Sequence, residues 1–266
     1  MTDLIDKTAD YVLELASSQR LSILIGLLAK NNTPTAFAKE IDATKQEVHR
    51  NFLRLEKAGL IKKNVGGKYS LTTFGQTICT QVPSLVFFSK NRKYFEEHNF
   101  GDVPHKFQMR CGQLANAQYI KGVSKVLEQW KIIYKNSEQY VYEILSDVPL
   151  DLIEPLVKKI KKGVKFNYVF SESAIVPKGR KTLLKKLGFD KLIEKGLIER
   201  KMEKNVQTVV VLNEKEACLM FPTLDGESDI SEMFYSDDPM FHEWCLDYFR
   251  YCWYGSDIFR ENKLKE

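Results

Sequence analysis

The stretch from Thr33 to Ile78 restricts this chain more than any other, because it sets two short helical runs, a tight turn and a glycine-centred hairpin in direct succession. Thr33-Pro34 opens TAFAKEI with proline at the first helical position, where its missing N–H costs nothing. After Asp42-Ala43-Thr44 comes KQEVHRNFLRLEKAGLI. In this run Val48, Phe52 and Leu55 form one apolar stripe, while Lys45, Gln46, His49, Arg50 and Lys57 occupy the other face. Gly66-Gly67 supplies the positive φ angles of a tight hairpin between a strand carrying Lys62-Lys63 and the run YSLTTFGQTI, a strand leading into a further helix. Upstream, Ser17-Ser18-Gln19-Arg20 precedes LSILIGLLAK. Its Leu21, Leu24, Ile25, Leu27 and Leu28 recur at helical spacing and predict a buried helix ending before Asn31-Asn32.

Two short helices around a tight turn, the second one basic and polar in its first half, match the layout of a helix-turn-helix, and the hairpin reads as its wing. The candidate DNA-binding residues are Thr44, Lys45, Gln46, His49 and Arg50 on the second helix and Lys62, Lys63 and Lys68 on the hairpin. Glutamine pairs with the adenine edge and arginine with the guanine edge in the major groove. The lysines suit phosphates, which fix register and carry no sequence information. VHRNFLRLEKAGLI followed by GGKYSLTTFG resembles the recognition helix and wing of ArsR-type winged-helix transcription regulators. That resemblance implies fold and DNA binding, and leaves the operator open.

A net charge of +5 over 266 residues conceals a strong asymmetry. Residues 1–90 carry 12 basic and 8 acidic side chains, residues 91–211 carry 23 and 14, and residues 212–266 carry 5 and 13. A basic surface for a polyanion and an acidic end held away from it account for such a division. The composition, with 44% hydrophobic residues, 14 Gly and 8 Pro, excludes collagen, low-complexity disorder and disulfide miniproteins. Cys79, Cys111, Cys218, Cys245 and Cys252 are odd in number, widely spaced and lack a CxxC, so they read as reduced thiols. With an acidic, amphipathic start, MTDLIDKTADYVLEL, and no apolar run of membrane-spanning length, the expected location is the cytoplasm.

Beyond Pro83, residues 84–100 and 115–136 read as helices separated by the turn-rich Gly101-Asp102-Val103-Pro104. From Gln139 the period changes. YVYEILS predicts a strand, DLIEPLVKKIKKG a helix and VKFNYVF a second strand, a βαβ unit with a parallel pair. A helix over 178–195 and strands IERKME, QTVVVLN and EACLMFP continue the alternation. Ligands of such sheets sit at the carboxyl ends of parallel strands, which makes Ser146, Asp147, Ser171 and Glu172 candidate ligand-binding residues. The alternative is that all four are ordinary turn and cap residues. The stretch from Lys158 to Lys204 holds 15 basic and 5 acidic residues, which suits an anionic metabolite, extra DNA contact or merely solvated helix faces.

Nine of the chain's 31 aromatics fall between Phe234 and Tyr254. Phe241, Trp244, Tyr248 and Tyr251 share one face of a helix started by Ser236-Asp237-Asp238-Pro239. That face packs on the sheet, lines an apolar pocket or makes a dimer interface, so Trp244 and Tyr248 join the candidate ligand residues. His242, Cys245 and Cys252 lie on one side of the same helix. The two cysteines are about 10 Å apart along the axis, too far to chelate one ion with ease. No metal and no cofactor is expected.

HNFGDVPHKFQMRCGQL, the strand-helix-strand with KKGVKFNYVF, and DDPMFHEWCLDYFRYCW together resemble the effector domain of archaeal regulators in the methanogenesis-filament regulator family. The resemblance implies a homodimer whose C-terminal domain, related to the phospholipase D fold, senses a small-molecule effector or mediates dimerisation. Enzymes of that fold need H-x-K-x4-D. Here His49, His98, His105 and His242 are followed two residues on by Asn51, Phe100, Phe107 and Trp244, so no catalytic residue and no enzymatic activity is expected. The expected fold combines α+β and α/β parts: a winged helix-turn-helix over 1–82, a helical linker or dimerisation region over 83–137, and an α/β effector domain over 138–266. The leading expectation is a sequence-specific, homodimeric transcription regulator acting on double-stranded DNA, away from any membrane. A phosphodiesterase or nuclease with a winged-helix targeting domain and a thiol- or metal-responsive regulator are the alternatives.

Overall fold

Four hydroxyl side chains start the helices of the N-terminal region by accepting a hydrogen bond from the amide three residues on, which satisfies a donor that the first turn leaves open. Ser17 accepts from Arg20, Thr33 from Ala36, Thr44 from Glu47 and Thr72 from Gly75. The computed structural model describes residues 2–264 apart from 148 and 175. It divides into two units, Met1–Pro83 and Ser84–Glu266.

The first unit runs α1 (Thr2–Leu15), α2 (Ser18–Ala29), α3 (Pro34–Glu40), α4 (Lys45–Lys57), β1 (Ile61–Lys63), β2 (Tyr69–Leu71) and α5 (Thr73–Cys79). This is the order of helix, turn, helix, hairpin and helix that the sequence predicts. Val48, Phe52 and Leu55 are fully buried with Ile23, Leu24 and Phe37. The buried face of α2 is narrower than expected, since Ile25 and Leu28 are about half exposed. Asp42, at φ 51°, makes the turn between α3 and α4. β1 and β2 pair antiparallel, Ile61 with Leu71 and Lys63 with Tyr69, around Gly66 and Gly67 at φ 98° and 81°. Asn32 exchanges two backbone hydrogen bonds with Tyr69, at 3.2 and 2.7 Å, and so ties the α2–α3 connection to the hairpin.

α6 (Val82–Lys90) starts at the end of the first unit and continues into the second, which also contains α7 (His105–Gln108), β3 (Gln118–Lys121), α8 (Val123–Asn136), β4 (Tyr140–Leu145), α9 (Leu150–Ile160) and β5 (Lys165–Ser171). It continues with α10 (Arg180–Leu187), α11 (Phe189–Glu194), β6 (Ile198–Glu203), β7 (Val209–Asn213), β8 (Ala217–Met220), β9 (Glu232–Ser236), α12 (Pro239–Gly255) and β10 (Asp257–Ile258). Eight strands form one sheet in the order β10-β6-β5-β4-β7-β8-β9-β3. The β4–β5 pair is parallel, as the βαβ pattern predicts, the β5–β6 pair is parallel as well, and the remaining pairs are antiparallel. The two-residue period of a strand divides the core. Val141, Leu145, Phe166, Phe170, Val209 and Val211 pack with α8, α9 and α11, while Ile144, Val169, Val210 and Leu212 pack with α6, α7 and α12.

Four features differ from the sequence expectation. The helix over 84–100 ends at Lys90 and is followed by a short 3-10 turn at Tyr94–Glu96. The helix over 115–136 is a strand and a helix, because Gln118–Lys121 pairs with β9 before Gly122, at φ 108°, turns the chain into α8. Gly188, at φ 73°, splits the helix over 178–195 into α10 and α11. The segment 83–137, expected as a helical linker or dimerisation region, falls from Ser84 on within the second unit: β3 is a strand of its sheet, and Phe87, Tyr94, Phe107, Trp130 and Tyr134 lie in its core.

Candidate nucleic-acid interface

The side chains that α4 does not bury are those that a groove reader needs. Lys45, Gln46, His49 and Arg50 are all exposed over the first two turns, opposite the buried Val48 and Phe52. Thr44 caps the same helix, its hydroxyl 3.3 Å from the Glu47 amide, so its role here is to fix where the helix begins. On the hairpin, Lys62, Lys63 and Lys68 are exposed, and the tip residue Val65 is fully open to solvent. The Asn64 amide donates to Lys68 O at 2.7 Å and Gly67 N donates to Asn64 O at 3.1 Å, which closes the turn and holds the lysines at its base.

Ion pairing within this unit is selective. Lys7 faces Asp3 at 2.9 Å, Lys30 faces Glu40 at 2.8 Å, and Arg20 and Arg54 both face Glu14, at 3.1 and 2.7 Å. From Lys39 onward, Arg54 is the one cation of the unit with a carboxylate partner among the described residues; Lys39, Lys45, Arg50, Lys57, Lys62, Lys63 and Lys68 have none. Positive charge is thus neutralised on α1 and α2 and left available from α3 through the hairpin.

Of the residues expected to bind a ligand at the strand ends, Ser171 and Glu172 have their polar groups engaged within the fold. Ser171 is buried, and its Oγ accepts from the amides of Ser173 and Val206 at 3.2 and 3.3 Å. Glu172 pairs with Lys263 at 3.0 Å. The Ser171–Ser173 contact is that of a turn, while the Glu172 ion pair ties the strand end to a distant segment. Ser146 Oγ is buried at the end of β4 and has no partner among the described residues, whereas Asp147 beside it is engaged.

The aromatic face of α12 is largely a packing face. Phe241, Trp244, Tyr248 and Phe249 are buried, while Tyr251 is about half exposed. Trp244 Nε1 donates to Phe107 O at 3.0 Å and the Tyr248 hydroxyl donates to Asp102 at 3.2 Å, so both polar tips are satisfied inside the fold and offer nothing to a ligand. Cys245 is wholly buried and burial raises its thiol; the Cys252 thiol is pushed up to about 12 for the same reason. His242 Nε2 lies 2.6 Å from Asn213 O. Among the described residues no three His, Cys, Asp or Glu side chains gather into a metal-ligand group.

One buried acid escaped the sequence reading. Glu143 sits on the α8-facing side of β4, where its Oε1 accepts from Trp130 Nε1 at 3.0 Å and from the Tyr134 hydroxyl. Desolvation pushes its carboxyl up to about 7, although both hydrogen bonds act in the opposite direction. The signal was present in YVYEILS, where the alternation that buries Val141 and Leu145 buries Glu143 as well.

Residues 8–89 match the family model described as the HVO_A0261 N-terminal domain. The match takes in the first unit from residue 8 on and nearly all of α6. A search among curated proteins finds no match. Among solved structures, the chain is similar to TrmBL2, an archaeal chromatin protein, at 14% identity and a TM-score of 0.42, covering 90% of this chain and 93% of that one. It is also similar to NucT from Helicobacter pylori, at 13% identity and a TM-score of 0.42, over 54% of this chain and 99% of that one. Nuc from Salmonella typhimurium, a phospholipase D family member, is similar at 16% identity and a TM-score of 0.40, over 55% and 99%. No single helix among the described residues is long and apolar enough to cross a membrane.

Proposed function

We propose that this protein is a sequence-specific, homodimeric DNA-binding transcription regulator of the ArsR-like winged-helix type, with the second unit acting as an effector domain and not as an enzyme. The carrying observation is the concentration of unpaired cations on the exposed face of α4 and on the hairpin. Exposed cations without carboxylate partners favour a polyanion, because neutralising its charges releases condensed counterions, and a regular row of phosphates supplies such charges. In this reading α4 lies in the major groove with Lys45, Gln46, His49 and Arg50 at base edges, while the wing lysines sit on the backbone. Two copies of α4 then read half-sites one helical turn apart, about 34 Å. The missing H-x-K motif supports a binding role for the sheet unit.

The two surfaces predict different losses. Arg50→Ala costs about 1–3 kcal/mol of binding to the specific site and relaxes the preference at one base position, with non-specific affinity nearly intact. Lys68→Ala weakens binding to all duplexes by a similar factor and lowers the slope of log K against log salt by about 1. Gel-shift titrations at several salt concentrations, on a site recovered by selection from random duplexes, measure both. Unchanged affinity in both variants defeats the assignment of these faces.

A further inference from the structure

While Cys245 and Phe249 of α12 pack inward, Asp247, Arg250, Tyr251 and Tyr254 follow one another at i, i+3, i+4 and i+7 along the opposite side of the helix. Together with α7 they wall an open groove of about 560 Å³. Clefts of roughly 300–1,000 Å³ hold small organic ligands. Buried Phe107 fixes the relation of the two walls, its ring centre lying 5.5 Å from that of Trp244, 5.3 Å from that of Tyr248 and 5.7 Å from that of Tyr251.

Three cations, Lys106, Arg110 and Arg250, line this groove against one carboxylate, Asp247. Asp247 is taken by Arg110 at 2.8 Å. Lys106 and Arg250 have no carboxylate partner among the described residues. Lys106 does not trail in water either, since its Nζ stands 4.0 Å from the centre of the Tyr251 ring, held there by cation–π attraction. Tyr254 is 81% exposed and makes no ring contact among the described residues, so its faces are open. The groove thus sets an open aromatic face beside two available positive charges. A free inorganic anion uses only the charges, and an uncharged ring uses only the tyrosine. One ligand that uses both carries a planar ring and an anionic group on the same small frame.

From this juxtaposition we propose that the groove between α7 and α12 binds a nucleoside monophosphate, with the base stacked on Tyr254 and the phosphate on Lys106 and Arg250. Guanidinium and ammonium groups bind phosphate oxygens by charge-assisted hydrogen bonds, and any base can stack on an exposed aromatic ring. The volume leaves room for the ribose between them. Binding here is independent of the DNA-binding reading, and its test contains no duplex DNA.

The test is calorimetric titration of the full chain with adenosine 5′-monophosphate, adenosine and ribose 5-phosphate at matched ionic strength. One molecule of the monophosphate binds per chain, and the two fragments, each lacking one half of the recognition, bind roughly tenfold more weakly or worse. Tyr254→Ala and Arg250→Gln each weaken the monophosphate by a similar factor, whereas Arg92→Gln, at an exposed arginine outside the groove, leaves it unchanged. Because both replaced groove side chains are exposed, the variants keep their fold. No binding of the monophosphate at millimolar concentration overturns the site, and so does full affinity in both groove variants. Equal affinity for ribose 5-phosphate reduces the groove to an anion site and overturns the nucleotide assignment. A single-stranded oligothymidylate that binds far more tightly than the monophosphate, and loses that advantage in Tyr254→Ala, overturns it in favour of a strand track. Self-association that Tyr254→Ala removes, without any nucleotide binding, overturns it in favour of a contact between copies.

Discussion

Gly75→Ala is expected to abolish folding of the first unit and, with it, the DNA binding proposed for that unit. A Cβ at this position lies 1.9 Å from the Leu60 carbonyl oxygen and 2.9 Å from the Leu60 carbonyl carbon, both backbone atoms that no rotamer change can move. The approach is built in from both sides. Thr72 N donates to Leu60 O at 3.0 Å, and the Thr72 hydroxyl donates to Gly59 O at 2.7 Å while accepting from Gly75 N at 3.0 Å. Relieving the clash breaks the start of α5 away from the turn that follows α4, a cost on the order of 3 kcal/mol or more, which is a large fraction of a small domain's stability. Gly66→Ala provides the comparison. Its Cβ meets nothing within 4 Å, so the cost is that of a non-glycine residue at φ 98°, about 1–2 kcal/mol. Calorimetry of the two variants measures the difference, and a Gly75→Ala protein with an unshifted first transition contradicts the close approach.

Glu143→Gln is expected to stabilise the second unit at pH 8 by about 3 kcal/mol and to change it little at pH 4. The folded carboxyl titrates near 7 against an ordinary 4.5, a gap that corresponds to roughly 3 kcal/mol. A carboxyl whose pKa is raised by folding holds its proton longer in the folded state. Stability therefore falls as pH climbs from about 4.5 to about 7 and then levels off. Glutamine removes the ionisation while keeping the acceptor for Trp130 and Tyr134. The titratable groups beside it, the Tyr134 hydroxyl and the Cys218 thiol, are both raised by burial and stay neutral throughout. Denaturant melts of both proteins across this range measure the effect; a difference that does not depend on pH removes Glu143 as its source.

The first unit was legible because its signals are local. Thr44 sits next to the helix it caps, Pro34 marks the first turn of α3, and Gly66-Gly67 lies between the two strands it joins. The β4-α9-β5 crossover was equally readable from a change of period within one segment. β3 and β9 were not, because what makes them strands is their pairing across more than a hundred residues, Tyr119 opposite Phe234. Gly188 did carry a signal for the break between α10 and α11, but the lysines on both sides extended the apparent helix through it.

The engagement of Ser171 and Glu172 was hidden for a related reason. A strand end marks where a ligand can sit without saying whether its polar groups are already taken, and those of Ser171 and Glu172 are. Arg180, by contrast, lies in a run of lysines that reads as a solvated face, and only the packing of α10 over β5 shows that this one cation is buried.

The two rims of the eight-stranded sheet limit how the protein can associate. β10 contributes two residues and β3 four, and each rim carries a charged side chain, Asp257 on one and Lys121 on the other. Short, charged rims deny an incoming backbone the ladder it needs for templated growth. Templated pairing along either rim is thereby disfavoured, and the sheet is protected from endless edge-to-edge stacking.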